Sequence, residues 1–372
     1  MKFTTNTKPL SDALALGVIN SNVSNYHKKS NLAEVSANQY VLKINLEATN
    51  IKTQLVLGGT GEGAESPSIF VNCVQLKQLV STLDSSTVTF EFEDHGLTLV
   101  AGKSRFTLPK AVDGDDISLD RPLNLPAGAN FIDIDKSDWK FISSNQMYAI
   151  AMSFLYPVFT KVWFGADGDV LVGDFNNSLF THSKHNKLKN QCLLSDTIIN
   201  LFTSLPDGAK LCKVNRDYLI YFKCDSFEYT TQLTPLYESD EGVGSYNSDT
   251  FLNRMEHPAT SFTVKAADLN KVMSQAELLS SSGTESTITF TKDAEGLTLK
   301  GSNIDCKINT EGGVSDFSLE FKLNSLHQVL SSYGDVVIHV APLLEDPEDL
   351  TSQVVGVLVW NDELTTCIAG AE

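Results

Sequence analysis

Residues 86–99 read STVTFEFEDHGLTL, and residues 286–299 read STITFTKDAEGLTL. Eight of the fourteen positions are identical, so the two segments must share one local structure. In both, apolar residues alternate with polar ones (Val88, Phe90, Phe92; then Ile288, Phe290), which buries one face of a strand. A short acidic turn follows, with Gly96 or Gly296 where the chain must reverse, and GLTL opens the returning strand. A weaker third copy, KVWFGADGDVLVG at 161–173, keeps the spacing, the turn and the apolar faces. Three copies define an internal repeat, the feature to settle before any other reading of the fold.

A helical pattern lies near each hairpin. Residues 72–83 put Cys73, Leu76, Val80 and Leu83 on one face behind Asn72, a suitable N-cap. Residues 136–148 do the same with Trp139, Ile142 and Met147, and residues 265–279 with Leu269, Val272, Met273 and Ala276. Two further units keep the order without the GLTL signature. One is a helix at 195–205 (Ile198, Ile199, Phe202, Leu205) before LCKV, YLIYF and FEYTTQL. The other is a helix at 322–333 (Leu323, Leu326, Val329, Leu330) before VVIHV, VVGVLVW and LTTCIA. The first 65 residues fit too, with a strand at 2–4, a helix near 11–21, and strands YVLKINLEA and TQLVLGG. Six units, each one helix and three or four strands, pair into three α+β domains at 1–118, 129–237 and 259–372. The acidic, Gly-rich stretches 113–130 and 237–258 read as linkers.

The 372 residues carry a net charge of −18, which on its own argues against a polyanionic ligand. The distribution matters more. The six predicted helices hold Lys77, Lys136, Lys140, Lys265, Lys271 and Lys322 against Asp12, Asp138, Asp196, Asp268 and Glu277, a net of +1 that leaves −19 elsewhere. A near-neutral helical surface with scattered lysines suits weak phosphate contacts that read no sequence. An acidic remainder would repel a polyanion from the rest of the surface. Two basic clusters lie off the helices, His27-Lys28-Lys29 and the run Lys184, His185, Lys187, Lys189. Both are also what solvated loops look like.

No apolar run of about 18 residues exists to span a membrane, and MKFTTNTKPLSD lacks a signal peptide's apolar stretch. The six cysteines are scattered without a CxxC pair, as expected of reduced, buried thiols in a cytoplasm. Asp113, Asp115 and Asp116 lack the loop pattern of a calcium site, and GGTGEG at 58–63 lacks the Lys-Ser/Thr of a phosphate loop. No GxSxG, HExxH or Cys/His arrangement occurs. The expectation is a protein without catalysis, metal or cofactor.

Over its whole length the chain resembles the bacterial-type DNA sliding clamp, the processivity subunit of replicative DNA polymerases. The resemblance rests on the three-domain, six-unit plan and on local matches. MKFT looks like the family's opening strand, and GKSRFTL at 102–108 like its GRSRFSL. AELLSSS at 276–282 looks like the helix end of its third domain. VGDFNNSL at 172–179 stands where the family has ATDGHRL, with one extra residue. The divergence suggests a phage or viral member, in the cytoplasm of a bacterial cell or infected host.

The resemblance implies a head-to-tail homodimer, a ring with helices inside and sheets outside. Twelve helices spaced ~10 Å apart make a circle of ~120 Å. Removing a helix radius of ~5 Å leaves a hole of ~28 Å, wide enough for a duplex about 20 Å across. DNA-facing candidates are Lys28, Lys29, Lys77, Lys136, Lys140, Lys265, Lys271 and Lys322. Phe106 and Leu108 would meet Leu278 and Leu279 of the other subunit, although all four also suit a local core. Leu278 and Leu279 are adjacent and cannot both face one narrow helical stripe. A cleft for the peptide motif of the polymerase and clamp loader would use Gly173, Asn176, Asn177, Leu179, Pro235 and Ile368. There the chain departs from the pattern. Asn and Ser replace the family's His-Arg pair, and the C-terminus reads CIAGAE. That departure motivates an alternative, a monomeric clamp-fold scaffold that does not encircle DNA. A hydrolase with scattered carboxylates has no motif behind it.

Overall fold

The structure, a computed structural model, describes residues 1–19, 31–48, 50–63, 68–111, 118–150, 161–174, 179–185, 188, 191–237, 262–279, 287–312, 317–331, 333, 337–342, 356–360 and 363–369. Among these are six α-helices: α1 (Thr7–Ile19), α2 (Cys73–Ser81), α3 (Lys136–Asn145), α4 (Asp196–Ser204), α5 (Ala266–Leu279) and α6 (Leu323–Ser331). The strands are antiparallel and form two eight-stranded sheets, one five-stranded sheet and one four-stranded sheet. The α+β class is as the sequence predicts.

The repeated hairpins have one register. Phe90 lies opposite Leu99 and Glu93 opposite Gly96; Phe290 lies opposite Leu299 and Asp293 opposite Gly296. Val88, Phe90, Leu97 and Leu99 are buried, as are Ile288, Phe290, Leu297 and Leu299. Each such side chain contributes roughly 1.5–3 kcal/mol by leaving water. The glycines have a different task from the one expected. The reversal falls on the residues before them, and each glycine begins the returning strand. A Cβ on Gly96 would sit 2.3 Å from the Leu108 carbonyl oxygen, and one on Gly296 2.7 Å from that of Ile308. The third strand approaches so closely that only glycine fits.

Helix boundaries differ from the periodicity in ways that have local causes. Asn72 caps α2, its side chain accepting from the Gln75 N–H at 3.0 Å. α1 starts at Thr7, four residues early, because Pro9 falls in the first turn, where an N–H has no helical partner to lose. α3 stops at Asn145 and gives way to a 3-10 turn at Met147–Ala149. Gln146 turns inward there, donating to Thr181 Oγ1 at 3.1 Å and accepting from Ser183 at 2.8 Å. Lys265 and Lys322 end the strands Phe262–Lys265 and Phe317–Lys322 rather than opening α5 and α6. Of the cysteines, Cys73, Cys192 and Cys212 are buried, while Cys224 and Cys306 are half-exposed.

Paired halves exchange their first strands. Lys2–Asn6 joins the hairpin of the following half through Phe3 opposite Phe90, and Ile69–Asn72 returns to Leu32–Ala37. Ile132–Asp133 pairs with Lys210–Val214, and Cys192–Ser195 with Lys161–Phe164. Phe262–Lys265 pairs with Val337–Pro342, and Phe317–Lys322 with Thr287–Asp293.

Contacts divide the chain into two compact units, Met1–Lys136 with Thr197–Pro235, and Ser137–Asp196 with Leu236–Glu372. In the first, the strand Ile51–Gly58 pairs with Phe227–Leu233, from Ile51 opposite Leu233 to Leu57 opposite Phe227. In the second, Leu179–Ser183 pairs with Leu364–Ala369, from Leu179 opposite Ile368 to Ser183 opposite Leu364. These two joints build the eight-stranded sheets. Ser104–Pro109 is left at an edge of the five-stranded sheet and Ile304–Ile308 at an edge of the four-stranded one. Part of the expected linker is tied down: Asp120, Arg121 and Leu123 bond to strands of the first eight-stranded sheet. No helix among the described residues is long and apolar enough to cross a membrane.

Candidate functional site

Strand edges and exposed apolar side chains coincide. Phe106, on the edge strand of the first unit, is 38% exposed, whereas Leu108 beside it is buried opposite Leu97. On α5, Leu269, Val272, Met273 and Ala276 fill the inward stripe. Leu278 and Leu279 fall beyond it, 86% and 51% exposed. A shallow hollow beside Leu279 is lined by Ala276, Ile288, Ile304 and Leu323. Asn303 Nδ2 donates to the Leu279 carbonyl at 3.0 Å and fixes the helix end against the edge-strand hairpin.

The lysines are unequal. Lys140 and Lys271 are exposed on helices, Lys265 and Lys322 are exposed at strand ends, and Lys77 is half-buried. Lys136 is held by Asp207 at 2.7 Å. The early start of α1 adds Lys8, 3.5 Å from Asp12. The six helices therefore hold Lys8, Lys77, Lys136, Lys140 and Lys271 against the same five carboxylates, a net of zero instead of +1. Lys28 and Lys29 lie outside the described residues.

In the second unit, Gly173 sits opposite Phe180 and Leu179 opposite Ile368, so strand pairing brings this part of the predicted cleft together. Leu179 and Ile368 are buried. Asn176 and Asn177 lie outside the described residues, and Pro235 closes the first unit.

Half of the second basic cluster is neutralised. Asp169 Oδ1 is 2.7 Å from His182 Nε2 and 2.9 Å from Lys184 Nζ. Burial pushes the Asp169 carboxyl up, but hydrogen bonds from Lys184 and His182 outweigh it and hold the carboxyl below its usual range. His185 lies 3.0 Å from Asp138 and stacks on Phe141. Lys187 and Lys189 lie outside the described residues.

The sequence also carries a charge asymmetry along its length. Residues 236–372 hold seven Lys and Arg against 22 Asp and Glu, while residues 1–235 hold 21 against 24. Nearly all of the negative excess belongs to the last third of the chain.

No family model matches the sequence, and no curated protein matches it. Solved structures do match. The DNA polymerase sliding clamp of Caulobacter crescentus is similar with a TM-score of 0.75 over 100% of both chains at 14% identity. That of Bacillus subtilis gives 0.74 over 100% of this chain and 99% of its own at 15% identity. The DNA polymerase III beta subunit of Thermotoga maritima gives 0.75 over the same shares at 13% identity. The chain has the fold of these proteins.

Proposed function

We propose that the chain is a DNA sliding clamp: a head-to-tail homodimer of three domains per chain (1–118, 129–237, 259–372) that encircles duplex DNA and tethers a replicative DNA polymerase. The pattern of strand joints carries the reading. Each half-domain ends in a strand. The last long strand of the first half of domain one pairs with the last strand of the second half of domain two, 51–58 with 227–233. The next such pair is 179–183 with 364–369. Continuing the series, 304–308 would pair with 104–109, and both are edge strands. They belong to the third and first domains, so a second copy can complete the series through a heterologous contact. An unpaired edge is a liability that such a contact removes. Phe106, Leu278 and Leu279, exposed beside these edges, lose apolar area to it, and Leu108 continues the strand inward.

The existing joints also supply a register. Thr53, two residues beyond Ile51, faces Thr231, four beyond Phe227. Thr181, two beyond Leu179, faces Thr366, two beyond Leu364. Cys306 is two residues beyond Ile304. It would therefore face Leu108 under the first register or Phe106 under the second. Opposed residues of antiparallel strands lie about 4.5–5.5 Å apart at Cα, within disulfide reach.

Exposed Lys140, Lys265, Lys271 and Lys322 and half-buried Lys77, with Lys28 and Lys29, would supply sparse phosphate contacts that allow sliding. Lys136 has a weaker claim because Asp207 occupies it. The client peptide of the polymerase or clamp loader would dock on Gly173, Asn176, Asn177, Leu179, Pro235 and Ile368. No step of this function needs catalysis.

The test is solution mass with DNA retention. Wild type is expected near twice the 40.7 kDa chain, and Leu278→Asp/Leu279→Asp near one chain. Leu108→Cys or Phe106→Cys is expected to give an oxidised dimer through native Cys306, lost again in Cys306→Ser. The dimer should stay on nicked circular DNA and run off once the circle is cut. A wild-type monomer at every concentration that never persists on circles would sink the reading.

A further inference from the structure

We propose that residues 118–131 are a releasable clasp that holds the first strand joint closed. The segment forms no strand until Ile132, yet it is pinned across four neighbouring strands. The Asp120 N–H donates to Glu47 Oε2 at 2.8 Å, and the Asp120 carboxylate meets Lys52 Nζ at 3.0 Å. Arg121 lies 3.7 Å from Glu34. The Leu123 N–H donates to Gln232 Oε1 at 2.9 Å. Glu34, Glu47 and Lys52 stand on one side of the joint and Gln232 on the other. The clasp therefore bridges strands whose paired threonines are 178 residues apart. Without it, that joint depends on strand pairing, the Thr53–Thr231 hydroxyl bond and packing.

The surface beneath explains why the clasp can lift. Glu34 accepts from Asn45 Nδ2 at 2.9 Å, and Asn45 accepts in turn from Gln54 Nε2 at 2.8 Å. Gln232 donates to Asp217 at 2.7 Å. These polar groups hydrate readily if uncovered. Leu119 is buried, but Leu123, Phe131 and Ile132 stay 41%, 37% and 50% exposed, so release uncovers little apolar surface. Charged pairs in such positions weaken with salt. The clasp is thus a switch on the stiffness of one joint, independent of whether the chain closes round DNA.

Amide hydrogen exchange on the intact chain tests this, with the second joint as internal control. The charge reversal Asp120→Lys/Arg121→Glu opposes Lys52 and Glu34 with like charge. It should speed exchange in 51–58 and 227–233 about tenfold, leaving 179–183 and 364–369 unchanged. Raised salt on the wild type should give a smaller effect in the same strands. Unchanged exchange at the first joint under both conditions overturns the proposal. So does equal acceleration at both joints, which would mean general destabilisation.

Discussion

The joint of 51–58 with 227–233 and the joint of 179–183 with 364–369 both oppose two threonines that expose no surface. In the first, Thr53 and Thr231 bond hydroxyl to hydroxyl at 2.8 Å. α1 packs on these strands, and Ala13, Leu14 and Val18 make its buried face apolar. In the second, Thr181 receives a bond from Gln146, and Thr366 meets Tyr148 at 3.0 Å and Tyr333 at 3.0 Å. Here, among the described residues, the 3-10 turn Met147–Ala149 lies against the strand Leu179–Ser183. The buried hydroxyls bond each other beneath an apolar helix in the first joint and bond Gln146, Tyr148 and Tyr333 in the second. A buried hydroxyl must be bonded, but the repeat leaves the partner free to change.

The largest effect separating the joints is expected from Ile368→Ala. Ile368 is buried opposite Leu179, and its truncation should cost about 2–5 kcal/mol through lost burial and a cavity. Thermal unfolding and hydrogen exchange should place the loss in the second joint; equal loosening of the first would break the distinction. Tyr333→Phe comes next. The hydroxyl directs its one proton toward the Val359 carbonyl, with the Leu364 carbonyl at 3.3 Å and the Thr366 hydroxyl at 3.0 Å alongside. Its removal should cost about 1–3 kcal/mol. Burial, then the neighbouring Tyr148, push the Tyr333 hydroxyl well above its ordinary range. A raised folded value means the folded state holds its proton longer than the unfolded state. The stability involved is complete below pH about 10 and is lost as pH rises beyond it. Alkaline unfolding followed by circular dichroism should therefore be shallower in Tyr333→Phe. An unchanged slope would mean that another group sets the alkaline limit.

What could be read in the sequence was local. Alternation in 86–99 and 286–299 gave both hairpins, and Asn72 gave a helix start, because each signal lies within a few residues of its effect. Strand exchange and the two joints depend on pairings across tens to hundreds of residues, such as Phe3 with Phe90 and Thr53 with Thr231. Periodicity carries no record of a partner. The clasp was hidden for a related reason: Pro, Gly and acidic residues forecast the lack of local structure at 118–130, not its tertiary contacts. Leu108 belongs to an alternating strand, and alternation alone does not separate a buried position from an edge one. At the surface, exposed Leu278 and Leu279 follow from their adjacency, whereas the pairing of Lys136 with Asp207 needed the fold.

The smallest effect, and the sharpest test of the comparison, is Thr231→Val. It removes one hydroxyl from the first joint without changing shape, and should cost about 1 kcal/mol. Either single variant loses the one bond that the two hydroxyls share. Thr53→Val/Thr231→Val removes both hydroxyls, so the double variant should cost less than the two single changes added together. The second joint should behave differently. Thr181→Val and Thr366→Val remove partners of buried Gln146 and Tyr333 and of half-buried Tyr148, whose polar groups stay behind whichever threonine is lost. Their costs should add. Urea unfolding of the two sets of single and double variants measures this directly. Sub-additive costs at the first joint with additive costs at the second would tie the difference to hydroxyl pairing. Additive costs at both would place it in the packing of α1.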